Sequence, residues 1–179
     1  MLIDKAVAFA TKAHEGQFRK GTHKPYIVHP LEVAAIVATM TSDQEIISAA
    51  VLHDTVEDCK DVTIEEIQHH FGNRIAEIVA QESEDKSKSW AERKMHTIKH
   101  LNNAPIEVQM VALGDKLSNI RDISRDYPIV GEELWNRFRM KDKRIIGWYY
   151  KEIQKSLKKE LGHTSAYQEY CKLVKNNFD

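Results

Sequence analysis

A chain of 179 residues, 42% hydrophobic and 30% charged, is long enough for one domain with a sizeable core, and its composition excludes intrinsic disorder. A formal net charge of −1 gives no bulk electrostatic pull toward nucleic acid or a membrane surface. Two cysteines, Cys59 and Cys171, exclude a disulfide framework, and no apolar run approaches the roughly 18 residues of a membrane span.

The chain opens on an amphipathic helix over 2–14, whose Asp4 and Lys5 argue against a signal peptide, so a cytoplasmic protein is expected. "KPYIVHP" reads as an extended loop, because Pro25 and Pro30 disfavour helical backbone at the residues before them; a helix over 30–40 follows. Helices are expected at 43–58, with Ser42 and Glu45 as a capping box, and at 63–84, capped by Thr63 and Glu66 and open to a break at Gly72. Ser89 and Glu92 start a helix over 89–103, followed by 106–127 and 132–161. Gly162 suits a stop, and Thr164 or Ser165 starts a last helix over 164–177. With no clear strand, the expectation is an all-α bundle of about eight helices: one domain over 1–179, its motif-bearing core at 1–160 and a C-terminal helix near 163–178.

Charge is distributed unevenly along these elements. Residues 137–159 hold nine Lys/Arg against two acids, which reads first as solvated helix faces. Residues 54–66 hold six acids against one lysine, and "VLHDTVED" at 51–58 raises a sharper question. On a continuous helix His53 sits over Glu57 and Asp54 over Asp58, at the C-terminal end, where the helix dipole disfavours negative charge. Clustered carboxylates repel unless a cation or proton intervenes, so a divalent metal held by His and Asp is a natural occupant. A solvated helix end with a satisfied histidine is an equal alternative on this segment alone.

Two other segments bear on that choice. His29 stands before Pro30 among apolar neighbours, where a lone histidine is more often a core residue bonded to backbone. In "VALGDKLSNIRD", residues 111–122, Asp115, Asn119 and Asp122 fall beside an apolar stripe, and an Asp there is costly to bury unless paired or metal-bound. Together His29, His53, Asp54 and Asp115 form a candidate set of two imidazoles and two carboxylates.

The pattern of His29, His53–Asp54 and Asp115 resembles the HD-domain metal-dependent phosphohydrolases. "GQFRKGTHKPYIVHPLEVA", "AAVLHDTVED" and "ALGDKLSNIRD" resemble three successive motifs of the RelA/SpoT-type (p)ppGpp hydrolase domain, over roughly residues 1–160. The chain lacks the synthetase domain of the long RelA/SpoT proteins and so looks like a small free-standing alarmone hydrolase. The resemblance implies that His29, His53, Asp54 and Asp115 bind one divalent ion, expected to be manganese. It implies that Glu57 and Asp58 position or deprotonate the attacking water, and that Arg19, Lys20, Lys116 and Asn119 approach a nucleotide. The implied reaction removes the 3′-diphosphate of guanosine tetra- or pentaphosphate as pyrophosphate, leaving GDP or GTP. The partner is then a small nucleotide, with no nucleic acid or membrane, and the oligomeric state stays open.

Weaker signals surround these motifs. Lys86, Lys88 and Arg93 lie where related hydrolases carry a lysine-bearing loop near substrate, although an exposed charged loop is the simpler reading. Tyr149 and Tyr150, in the aromatic stretch 147–153, read first as core, and His69, His70, His96, His100 and His163 as surface or capping residues. Cys59 stands where the family often has Thr. Two alternatives remain open: an HD hydrolase of another nucleotide phosphoester, and a non-catalytic nucleotide-binding protein.

Overall fold

The computed structural model describes all 179 residues as ten α-helices and one 3-10 helix, without a strand. They are α1 (Leu2–Ala13), α2 (Val28–Ala38), α3 (Gln44–Leu52), α4 (Thr55–Asp58), α5 (Ile64–Phe71) and α6 (Asn73–Glu82). After these come α7 (Trp90–Leu101), α8 (Ile106–Val130), the 3-10 helix Gly131–Arg137, α9 (Lys143–Leu161) and α10 (Ser165–Phe178). None is long and apolar enough to cross a membrane.

The local signals explain most boundaries. Both capping boxes, Thr63 with Glu66 and Ser89 with Glu92, are formed reciprocally, and Thr164 caps α10 by accepting from the Tyr167 N–H. Gly72, at φ 91°, separates α5 from α6 in a conformation that residues with a Cβ rarely adopt. The Ser42–Glu45 box is not formed. Asp43 caps α3 instead, and Arg74 draws off the Glu45 carboxylate at 2.7 Å while also holding Asp43 at 2.8 Å.

Four expected spans need correction. The helix expected over 43–58 breaks at His53 and Asp54, because side chains take carbonyls that would extend it. The His53 Nδ1–H donates to the Ala50 carbonyl at 2.8 Å and the Thr55 hydroxyl to the Leu52 carbonyl at 2.7 Å. The span 132–161 is split by residues 138–142, with Asp142 capping α9. Conversely, α2 starts at Val28, two residues before Pro30, and α8 runs three residues past Tyr127. Pro30 falls in the first turn, where a missing N–H costs no helical bond.

The long helix α8 is the axis of the fold, packing against α2, α3, α6, α9 and α10. Its Val111, Leu113, Leu117 and Ile120 are fully buried in a continuous core of 40 residues. Gly114 lets α2 and α8 approach closely: a Cβ there would lie 3.0 Å from Val33 Cγ1 and 3.2 Å from the Val33 carbonyl oxygen. Residues 17–26 form a small hairpin-like loop, joined by Arg19 N–H to Lys24 O and Tyr26 N–H to Gln17 O. Its tip, Gly21 at φ 70°, a backbone conformation that favours glycine, lies against the Arg137 side chain, which an added Cβ would have to displace.

Candidate metal and phosphoester site

Three elements meet where α3 gives way to α4. The first turn of α2 contributes His29, the break contributes His53 and Asp54, and the middle of α8 contributes Asp115. His29 Nε2 lies 3.1 Å from Asp115 Oδ1 and 3.5 Å from Asp54 Oδ2, while His53 Nε2 lies 3.1 Å from Asp54 Oδ2 and 3.8 Å from Asp115 Oδ1. Both imidazoles are almost fully buried.

The chemistry of this cluster suits a cation. Each Nδ1 is engaged on the outer side, His29 with the Ser118 hydroxyl and His53 with the Ala50 carbonyl, so each Nε2 faces the carboxylates. His53 Nε2 is buried without a hydrogen-bond partner. Donor atoms of His29, His53 and Asp115 lie within 4.8 Å of one another. Asp54 flanks this trio and is held in place by the Tyr26 hydroxyl, which donates to Asp54 Oδ2 at 2.7 Å and Asp58 Oδ2 at 3.2 Å.

The charges are strongly coupled. Burial alone would raise the Asp54 carboxyl, but the neighbouring His53 and His29 hold it well below the usual carboxylate range. Asp115 is likewise held far down against burial, by Lys116 at 2.5 Å and the two imidazoles. Burial opposes protonation of His53, yet Asp54 and Asp115 outweigh it and raise its pKa well above the ordinary value. Carboxylates and imidazoles coupled this tightly are suited to share a positive charge between them.

Glu57 and Asp58 stand at the mouth of this pocket. Burial pushes the Glu57 carboxyl up, as do the Asp54 and Asp58 charges, while the Glu84 N–H and Lys86 pull it back. Lys86 donates to Asp58 Oδ1 at 3.0 Å and to the Glu57 carbonyl at 2.7 Å, so it braces the acidic pair. Arg19 forks onto Asp122, at 2.9 and 3.2 Å, and onto Asn119 Oδ1 at 2.8 Å. Asn119 in turn donates to Asp115 at 2.6 Å.

An inner chamber of about 220 Å³ over the cluster adjoins an outer cleft of about 550 Å³. Arg19, Tyr26, Glu57, Asp58 and Asn119 line both; Lys116 lines the inner chamber and Lys20 the outer cleft. Seven Lys/Arg against four carboxylates surround the outer cleft, together with Trp90 and Phe138. Of the weaker signals, Lys86 and Arg93 line this cleft and Lys88 does not. Tyr149 and Tyr150 are core residues.

Several wall residues went unread in the sequence. His100 is half-buried in the wall of the inner chamber and stacks at 6.1 Å on His96, which also lines it but is exposed, as expected. Glu82 also lines that chamber, its carboxyl pushed up to about 8 by burial against the pull of Lys116 and His53. Glu84 grips Arg93 and Lys94 at 2.7 and 2.6 Å. Arg137 and Arg139 reach the cleft from the end of the 3-10 helix. Their signal lay in the basic 137–159 stretch and in the acids of "QESEDK", which carry no fixed spacing to the histidines.

Comparison with known proteins agrees with this architecture. Residues 6–137 match the HD domain family model. The chain is 40% identical over 144 residues to guanosine-3′,5′-bis(diphosphate) 3′-pyrophosphohydrolase MESH1 of Xenopus tropicalis, covering 79% of this chain and 78% of that one. The Homo sapiens protein of the same name is 36% identical over 141 residues, covering 77% and 76%. A solved structure described as a metazoan ortholog of SpoT that hydrolyzes ppGpp superimposes with a TM-score of 0.81, over 98% of this chain and 94% of that one, at 24% identity. The chain therefore belongs to the HD domain family, in company with these 3′-pyrophosphohydrolases.

Proposed function

We propose that this protein is a divalent-metal-dependent phosphohydrolase that removes the 3′-diphosphate of guanosine tetra- or pentaphosphate, releasing pyrophosphate and leaving GDP or GTP. The observation that carries the reading is the continuity of the buried His/Asp cluster with the Glu57–Asp58 pair and a cation-rich cleft. The similarity to curated 3′-pyrophosphohydrolases over more than three quarters of the chain supports the substrate. Residues 1–179 act as one hydrolase domain, and a soluble nucleotide substrate fits a cytoplasmic location.

His29, His53, Asp54 and Asp115 would hold the ion, with manganese the expected metal. When bound, such a cation acidifies water and offsets charge at phosphorus. Glu57, with its raised proton affinity, is the general base, accepting the proton of the attacking water. Asp58, fixed by Tyr26 and Lys86, keeps that water oriented. Arg19 can turn its fork from Asp122 to phosphate oxygens, with Asn119 and Lys116 beside it and Lys20 and Arg139 farther out along the cleft.

A second reading, hydrolysis of a nucleotide with fewer phosphates, is favoured by one observation. Lys86, Arg93 and Lys94 already sit on protein carboxylates, which lowers the net positive charge offered to a substrate. The test is pyrophosphate release from ppGpp with and without manganese, beside a panel of nucleotide phosphoesters. Absence of ppGpp turnover under every divalent ion would remove the substrate assignment. Faster turnover of a nucleotide lacking a 3′-diphosphate would favour the second reading.

A further inference from the structure

The two histidines of the cluster are oriented by different devices. His53 donates to a backbone carbonyl, which no substitution removes directly. His29 depends on a chain of side chains. Its Nδ1 lies 2.9 Å from the Ser118 hydroxyl, and that hydroxyl donates to Glu32 Oε2 at 2.7 Å. Arg121 donates to Glu32 Oε1 at 3.1 Å and makes a two-pronged contact, at 2.7 Å on each oxygen, with Glu169 of α10.

The direction of this chain follows from counting protons. A serine hydroxyl has one proton, and here it goes to the Glu32 carboxylate, which can only accept. The Ser118 oxygen is therefore an acceptor toward His29, and the imidazole must carry its proton on Nδ1. Nε2 faces Asp115 at 3.1 Å and Asp54 at 3.5 Å, two acceptors to which it can donate, and it is the atom a bound cation would meet. A carboxylate behind the hydroxyl also draws the Nδ1 proton outward and makes Nε2 a stronger donor to a cation. Ser118 is 1% and His29 3% exposed, so water does not substitute for either link.

We propose that Glu32 and Ser118 are positioning residues for the metal site, holding the proton of His29 on Nδ1 and so turning Nε2 toward the carboxylates. Arg121 and Glu169 hold Glu32 in register, so that the seating of α10 on α8 contributes to cation affinity. This rests on the metal reading of the cluster only for its affinity readout; the link from His29 Nδ1 to Ser118 is a property of the chain itself.

The test uses the full-length protein, freed of metal by chelator. Histidine ¹⁵N shifts report the His29 tautomer, and titration with Mn²⁺ reports affinity. In the wild type His29 Nδ1 is expected to be protonated, whether or not Nε2 carries a second proton. Glu32→Ala lets the Ser118 hydroxyl turn and donate to Nδ1, giving the Nε2–H form and a loss of about 10–100-fold in Mn²⁺ affinity. Ser118→Ala should act alike, Ser118→Thr should restore both readouts, and Glu169→Gln should weaken binding in the same direction by less. If Glu32→Ala lowers the melting temperature but leaves tautomer and affinity unchanged, Glu32 is merely structural and the proposal fails. If the wild type shows a bare Nδ1, with a proton on Nε2 alone, the proposal fails whatever the metal does. If the wild type binds no Mn²⁺ but shows the expected tautomer and its change in Glu32→Ala, the relay stands and the metal reading falls. Unchanged affinity in Glu169→Gln would remove α10 from the relay.

Discussion

The Tyr26 hydroxyl donates to Asp54 at 2.7 Å and reaches Asp58 at 3.2 Å, so one side chain bridges the cation cluster and the acidic pair at its mouth. Burial and the two carboxylates raise the Tyr26 pKa, which keeps it a donor at any working pH. Tyr26→Phe leaves the ring packed against His14 and His29 but frees both carboxylates. The expected result is a loss of roughly tenfold in metal affinity, a typical cost for an outer partner of a ligand, with kcat reduced even at saturating metal. An unchanged kcat at saturating Mn²⁺ would show that Asp58 needs no such anchor.

Gly114 sets the distance between the helices that carry His29 and Asp115. A methyl group there meets both the Val33 side chain and its backbone carbonyl, and the carbonyl cannot swing aside. Helix propensity favours Gly114→Ala by about 1 kcal/mol, whereas overpacking costs about 1–3 kcal/mol, so the net effect is mild destabilisation. The larger effect is on the site, because α2 must move away from α8 and carry His29 off Asp115. Metal titration and urea unfolding of Gly114→Ala should show affinity falling by more than stability; an equal or more stable variant with wild-type affinity would contradict this.

The same residues show what could be read from the sequence and what could not. Helix starts at Thr63, Ser89 and Thr164 were legible because a cap is a local contract between a side chain and an N–H three residues on. His29, His53, Asp54 and Asp115 were legible as a set through their motifs. The break at His53–Asp54 was not, since it depends on an imidazole and a hydroxyl competing for carbonyls of the preceding turn. Tyr26 sat in full view within "KPYIVHP" but was silent, because its partners lie 28 and 32 residues away. Glu82 and His100 were unreadable for the same reason: only the packing of α6, α7 and α8 turns them toward one chamber.

Lys86 gives the acid side of the pH profile a testable sign. Glu57 must be ionised to accept a proton, and its pKa is raised, chiefly by burial, with Lys86 at 3.7 Å pulling it down. Removing that cation raises it further. Lys86→Met should therefore shift the acid limb of kcat/KM to higher pH, by a modest amount because Lys86 is half exposed. Glu57→Gln should abolish the limb along with nearly all activity. A limb that stays in place in Lys86→Met would assign it to another group.

Glu82 makes a prediction about stability rather than rate. Its carboxyl titrates near 8 in the metal-free fold against an ordinary value of 4.5, so the folded chain binds a proton that the unfolded chain releases. Stability from this group is fully present below 4.5 and lost as pH rises through 8. His53, raised above its ordinary 6.5, contributes in the same direction, present below 6.5 and lost above its folded pKa. The chelator-treated protein should accordingly lose melting temperature between pH 6 and 9. Glu82→Gln keeps the neutral shape, so its curve should flatten, matching the wild type near pH 5 and exceeding it at pH 9. Saturating Mn²⁺ should shrink the difference between the two, since a cation beside the chamber favours the ionised carboxylate. Parallel melting curves for wild type and Glu82→Gln across this range, without metal, would mean that Glu82 is ionised and solvated in the fold.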